Sequence, residues 1–246
     1  MSKSHYLGDG RVGEGIHIAR GAVSQTSHVN KFGYNTAVGG SFEIVSDLGT
    51  NYLPTSAGVV SVVSSDANDD DGDTGARTLE IEGLDANYDE IKETITLNGT
   101  GAVTTTASFY RVFRMRVLTA GSSETNEGNI TASIGGNNVA QVHSNNGGQS
   151  LMAVYTIPAG HKGYLIKFQG SISKNQEATY QLRVKNGTAN AAWQMKGQWG
   201  TFAQPVTFDY IVPLEIPEKT DIQIQAKAGA TSEVGAIFDL ILVKDI

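Results

Sequence analysis

T-Y-Q-L-R-V-K at Thr179–Lys185 and D-I-Q-I-Q-A-K-A at Asp221–Ala228 are the stretches that decide the fold. In the first, Tyr180, Leu182 and Val184 alternate with Gln181, Arg183 and Lys185; in the second, Ile222, Ile224 and Ala226 alternate with Gln223, Gln225 and Lys227. Successive side chains of an extended strand point to opposite faces, so a period of two writes one apolar and one polar face of a sheet. Working outward, runs of the same kind occupy 130–134, 139–143, 151–157, 163–172, 192–197 and 206–214, with turn residues between them. Gly135-Gly136-Asn137-Asn138 has the composition of a tight hairpin. Ile237–Val243, I-F-D-L-I-L-V, is apolar on both faces apart from Asp239 and reads as a central strand. No helical period separates these runs. Strand after strand at this spacing predicts an antiparallel β-sandwich, jelly-roll-like, over residues 121–246.

Upstream, residues 41–120 read as a smaller β module. Its clearest element is a hairpin in which Leu79 and Ile81 alternate with Thr78, Glu80 and Glu82, and Ile91, Ile95 and Leu97 alternate with Lys92, Thr94 and Thr96. Gly83–Asp89 supplies the turn between them. Phe109–Leu118 is a further strand, unusual in that Arg111, Arg114 and Arg116 interrupt its apolar run. Residues 1–40 are Gly-rich and polar, with a short I-H-I run and no sustained period, and are expected to form an extended docking arm that could be removed with the sandwich intact.

The chain has 246 residues and no cysteine, so neither disulfides nor thiolate metal sites are available and the fold must rest on packing and strand ladders. Its net charge is −7, and the acidic excess lies almost wholly in the first 120 residues. Nucleic acid and anionic membrane both need basic surface, so neither is an expected partner. The N-terminus has no apolar leader-like run and no stretch approaches the ~18 residues of a spanning helix, which predicts a soluble protein.

Motifs that could carry chemistry are weak. Gly8-Asp9-Gly10-Arg11-Val12-Gly13 fits G-x-G-x-x-G, but a dinucleotide site needs a strand before it and a helix after it, and neither is expected here. In the acidic stretch 66–73, counted from Asp66, Gly72 comes one place late for a calcium loop. Arg77 also stands where a bidentate Glu is required, so a solvated acidic loop is expected. His5, His17, His28, His143 and His161 show no metal spacing. Asp209 and Glu215 could form a glycosidase pair only if the fold converged them. Catalytic, cofactor and metal residues are therefore all expected to be absent, and the protein is not expected to be an enzyme. Trp193, Trp199 and Phe202 form an aromatic cluster that could either pack, in the core or at a subunit interface, or stack on sugar rings.

Several stretches resemble a group of virion structural proteins of tailed bacteriophages, notably those of marine and cyanobacterial hosts. They are V-N-K-F-G-Y-N (29–35), T-G-A-R-T-L-E-I-E-G-L-D-A-N-Y-D (74–89), Y-R-V-F-R-M-R-V-L-T-A-G (110–121), P-E-K-T-D-I-Q-I-Q-A-K-A (217–228) and F-D-L-I-L-V (238–243). The resemblance reaches nearly the whole chain and brings no catalytic residues. It implies a virion component, in the capsid or its decoration, or in the tail or fibre, acting through subunit contacts. The partners it implies are copies of itself, a trimer by analogy with other virion sandwiches, and other virion proteins such as the major capsid protein. The alternative is a carbohydrate- or receptor-binding module on the particle surface, with a glycan as ligand.

Overall fold

The computed structural model describes residues 10–144, 146–173, 175–188 and 190–245. Among the described residues, helix α1 (Gly10–Ala19) is followed by sixteen strands. The first two are β1 (Thr26–Val38) and β2 (Glu43–Ile44). Next come β3 (Gly58–Ser64), β4 (Ala76–Leu84), β5 (Glu90–Thr96), β6 (Val103–Phe109), β7 (Arg111–Ala120), β8 (Ile130–Ile134) and β9 (Asn137–Val142). The last seven are β10 (Val154–Thr156), β11 (His161–Ile172), β12 (Glu177–Asn186), β13 (Gln194–Phe202), β14 (Val206–Ile216), β15 (Thr220–Ala228) and β16 (Ser232–Lys244). Every strand pairing is antiparallel. The fold is all-β, as the alternation predicts.

The larger sandwich is a jelly roll. One sheet runs β1-β16-β11-β14 and the other β10-β15-β12-β13, with β2 beside β15. Leaving out β2 and the strands between it and β10, the pairings are nested: the first strand with the last (β1 with β16), β10 with β15, β11 with β14, and β12 with β13. That is a long hairpin folded over on itself, the wrapping that turns eight strands into two facing sheets. The inner faces come from the predicted residues: Tyr180, Leu182, Ile222, Ile224, Phe238 and Leu240 are all essentially inaccessible to solvent. β16 is central, between β1 and β11, as its two-sided apolar character requires.

The strand pairing redraws the expected three-part division. Residues 26–38, placed by sequence in a removable arm, form β1, paired along its length with β16 from Thr26↔Val243 to Val38↔Ser232. Loss of residues 1–40 would therefore strip a whole strand from the sandwich. The alternation is masked because, between the inward-facing Val29 and Val38, the buried positions of β1 are Lys31, Gly33 and Asn35 in place of aliphatic residues, each suited to one local demand. Lys31 Nζ donates to the Phe113 carbonyl, and Asn35 Nδ2 to the Ile44 carbonyl at 3.1 Å. A Cβ on Gly33 would lie 1.9 Å from the Val45 carbonyl oxygen, so no side chain fits there. The helix α1 also departs from expectation, which had no helix following the Gly-rich motif; Gly8 and Asp9 lie outside the described residues.

The smaller module runs from β3 to β9, beyond the expected limit at residue 120 and into the segment assigned to the sandwich. It is itself two-layered, with sheets β6-β3-β8-β9 and β5-β4-β7. β8 and β9 form the hairpin foreseen from Gly135-Gly136, whose φ values of 57° and 81° suit a mirror-image two-residue turn. The module is thus an insertion in the first loop of the jelly roll. Its two connections run side by side: Ala153 N–H donates to the Val45 carbonyl at 2.9 Å, Asp47 N–H to the Leu151 carbonyl at 3.1 Å, and Ser46 bridges Met152.

Candidate interaction surface

The three arginines of β7 separate by role. Arg111 is buried and forms a forked ion pair with Asp221 of β15, Nε to Oδ1 at 2.8 Å and Nη2 to Oδ2 at 3.0 Å. The guanidinium also lies over the Tyr110 ring, 4.1 Å from its centroid, and donates to the carbonyls of Pro54 and Tyr110. Arg114 donates to the Asn30 carbonyl at 2.9 Å, and Arg116 pairs within the module with Glu80 and Glu82. Two of the three thus join the module to the jelly roll. Phe113 adds a ring contact with Tyr155 at 4.8 Å.

A cavity of about 350 Å3 opens at this junction, bordered by His28, Lys31, Glu82, Glu90, Arg114 and Tyr155. Burial, then the charge of Arg114, pushes the Lys31 ammonium well below its ordinary pKa, with Glu82 acting in the opposite sense. His28 and Asn30 both meet Asp239, at 3.2 and 2.7 Å. Lys31, Glu90 and Arg114 are engaged across the two units, while His28 pairs within the jelly roll and Glu82 within the module.

Asp47 sits between the two connections, accepting from Leu151 N–H at 2.7 Å and from Asn146 Nδ2. Burial raises its pKa to about 7 against the lowering effect of those hydrogen bonds. The native state then holds a proton that the unfolded chain has lost above about pH 4, so this group's contribution to stability falls as pH rises from about 4 to 7 and is flat above. The expected decline is roughly 2–4 kcal/mol across that interval. Urea unfolding at a series of pH values checks it: Asp47→Asn should remove the slope, whatever it does to absolute stability.

The acidic stretch is solvent-facing at Asp71, Gly72 and Asp73, as its composition predicts, but departs from that expectation at Asp69. Asp69 is fully buried, and its carboxylate accepts from Ala76, Glu127 and Gly128 N–H at 2.8–2.9 Å and from Ser64 Oγ at 2.5 Å. Glu127 in turn accepts from Asn68, Thr74 and Ser123, and these bonds, led by that of Ser123, hold its pKa down to about 2. Both carboxylates are therefore occupied in tying the loop to the 123–128 segment. No group of three or more His, Asp or Glu side chains converges as a metal site among the described residues.

The aromatic cluster is split by a bulge. Tyr180 pairs with Trp199 and Leu182 with Gly197, but Arg183 pairs with Met195, leaving Lys196 unmatched. One extra residue reverses which face each side chain takes. Trp199 turns inward and stacks on Phe168 at 4.1 Å and 15°, within a column that continues to Tyr180 on one side and Phe208 and Tyr210 on the other. Trp193 lies on the outer face against the Arg183 guanidinium, 5.0 Å from its ring centroid. Phe202 is outward and 60% exposed. The three do not form a shared stacking platform.

Among the described residues, the four most exposed large apolar side chains, and Phe208 with them, lie on the two edge strands beside this column. β13 exposes Met195 and Phe202, and β14 exposes Phe208, Ile211 and Val212, the last two at 84% and 80%. The reason lies in the register of β14: Leu214 pairs with Leu165 and Asp209 with Lys167, so Ile166 alone faces Tyr210, Ile211, Val212 and Pro213. The surplus loops outward and lifts Ile211 and Val212 off the sheet. Asp209 and Glu215 flank this projection, Glu215 taking Tyr164 Oη at 3.3 Å. The projection is invisible in sequence, where 206–214 reads as one continuous run.

Neither a protein-family model nor a curated protein matches the chain. Among solved structures it is similar to infectious bursal disease virus, Gt strain, at 10% identity over 90% of this chain and 73% of that one, with a TM-score of 0.27. A lipoprotein of Bacteroides thetaiotaomicron matches at 9% identity over 91% and 97% of the two chains, TM-score 0.22. The infectious bursal disease virus VP2 subviral particle matches at 10% over 91% and 78%, TM-score 0.20. At these scores nothing about the chain's role follows from the likeness.

Proposed function

We propose that the chain is a structural, non-catalytic component of a tailed-phage virion, acting through contacts with copies of itself and with other virion proteins. The observation that carries the assembly part is the concentration of exposed apolar side chains on β13 and β14, with Ile211 and Val212 raised on an edge strand. A free-standing domain hides or charges such an edge. The inserted module, bolted to the jelly roll by buried ionic and aromatic contacts, gives the subunit the rigidity that repeated assembly needs. The virion location comes from the sequence resemblance. Mass spectrometry of purified particles of the phage encoding the chain tests it: peptides should be recovered in amounts comparable to other structural proteins. Their absence from particles, with the protein free in the lysate, would overturn the reading.

A further inference from the structure

The outer face of the β1-β16-β11-β14 sheet carries a groove across the strands. Its floor is the backbone of Gly33, Ala236 and Gly170, which are register partners on three adjacent strands. Their inward faces have no room to spare: a Cβ on Gly170 would lie 2.8 Å from the Tyr180 ring. On the outside, Phe32, Ile237 and Gln169 form one wall, with Tyr34 and Ser171 on the other. Gly235 stands between Tyr34 and Ser171 in register and leaves that wall open. The resulting cavity, about 370 Å3, has a mainly apolar lining, unlike the charged one at the module junction.

We infer that the chain associates with itself head to tail, the Ile211–Val212 projection of one copy seating in this groove of the next. The inference rests on the assembly reading above and names its contact. Both features are apolar. Thr207 borders the groove, but Ile211 and Val212 do not line it and are almost wholly exposed, so the projection does not fill its own groove. Simple strand addition is disfavoured at this edge, because the bulge breaks the ladder and Pro213 offers no N–H. Two unlike patches on one subunit make a heterologous contact, which closes into a ring or runs on as a filament.

Light scattering on the full chain tests this with two variants at exposed positions, Ile211→Asp to spoil the projection and Ser171→Trp to block the groove. The wild-type chain should form species larger than a dimer. Each variant alone should weaken association roughly thirtyfold or more, as loss of an interface hot spot does. Mixed one to one, the variants should form dimers and nothing larger, since the intact projection of one fits the intact groove of the other. A monomeric wild-type chain, variants that assemble normally, or a mixture that stays monomeric would each overturn the inference. Those outcomes leave the virion reading to the particle composition, which is measured separately.

Discussion

Replacing Arg111 by methionine should cost about 3–5 kcal/mol of stability, because it leaves the Asp221 carboxylate buried and unpaired. The side chains of the pair are only 8% and 3% exposed, so water cannot take over the lost partner. Among the described residues, Thr156 Oγ1, which donates to the same carboxylate at 2.6 Å, is the hydrogen-bond donor left to hold it. The charge itself is the problem: an Arg111→Met, Asp221→Leu double variant, which removes both ions, should recover more than half of the loss. Urea unfolding followed by circular dichroism measures both. If the single variant lost less than about 1 kcal/mol, the pair would have to be counted a surface contact in all but name.

Asp69→Ala should be of similar size, about 3 kcal/mol or more, and confined to the inserted module. Three backbone N–H groups and a serine hydroxyl converge on this carboxylate, and an unsatisfied buried donor costs roughly 1–3 kcal/mol. Hydrogen exchange distinguishes the two variants. Asp69→Ala should expose amides of the 66–76 and 123–128 segments while β11, β12, β15 and β16 stay protected. A wholly global loss of protection would contradict the local role. Added calcium should not rescue the variant, because the carboxylates of this loop are engaged with protein donors.

The strands themselves were legible wherever one face was apolar. β12, β15 and β16 sit where their alternation puts them, and the β8–β9 turn is where two consecutive glycines permit positive φ. β1 was not legible, because Lys31, Gly33 and Asn35 meet needs set by partners far along the chain. Membership of β8 and β9 in the module was equally hidden: alternation marks a strand but does not name its neighbour. The interaction surface was least legible of all. Both the reversal of Trp193 relative to Trp199 and the lifting of Ile211 depend on a mismatch of residue count between paired strands. Such a mismatch belongs to two segments at once. The buried Asp69 was masked by the composition of its neighbours, which do face solvent.

The nesting of the jelly roll also sets an order of events during synthesis. Thr26 meets Val243 across the β1–β16 ladder, so the opening strand waits for the closing one, while β4 and β5 or β8 and β9 need only a short turn to pair. Closing so long a loop is slow and leaves strand edges exposed meanwhile. On the ribosome, the inserted module can be complete before the second half of the jelly roll has been made. Pulse-labelled exchange during refolding should accordingly protect module amides first and those of β1 last. If β1 were protected as early as the module, the long loop would not be the slow step.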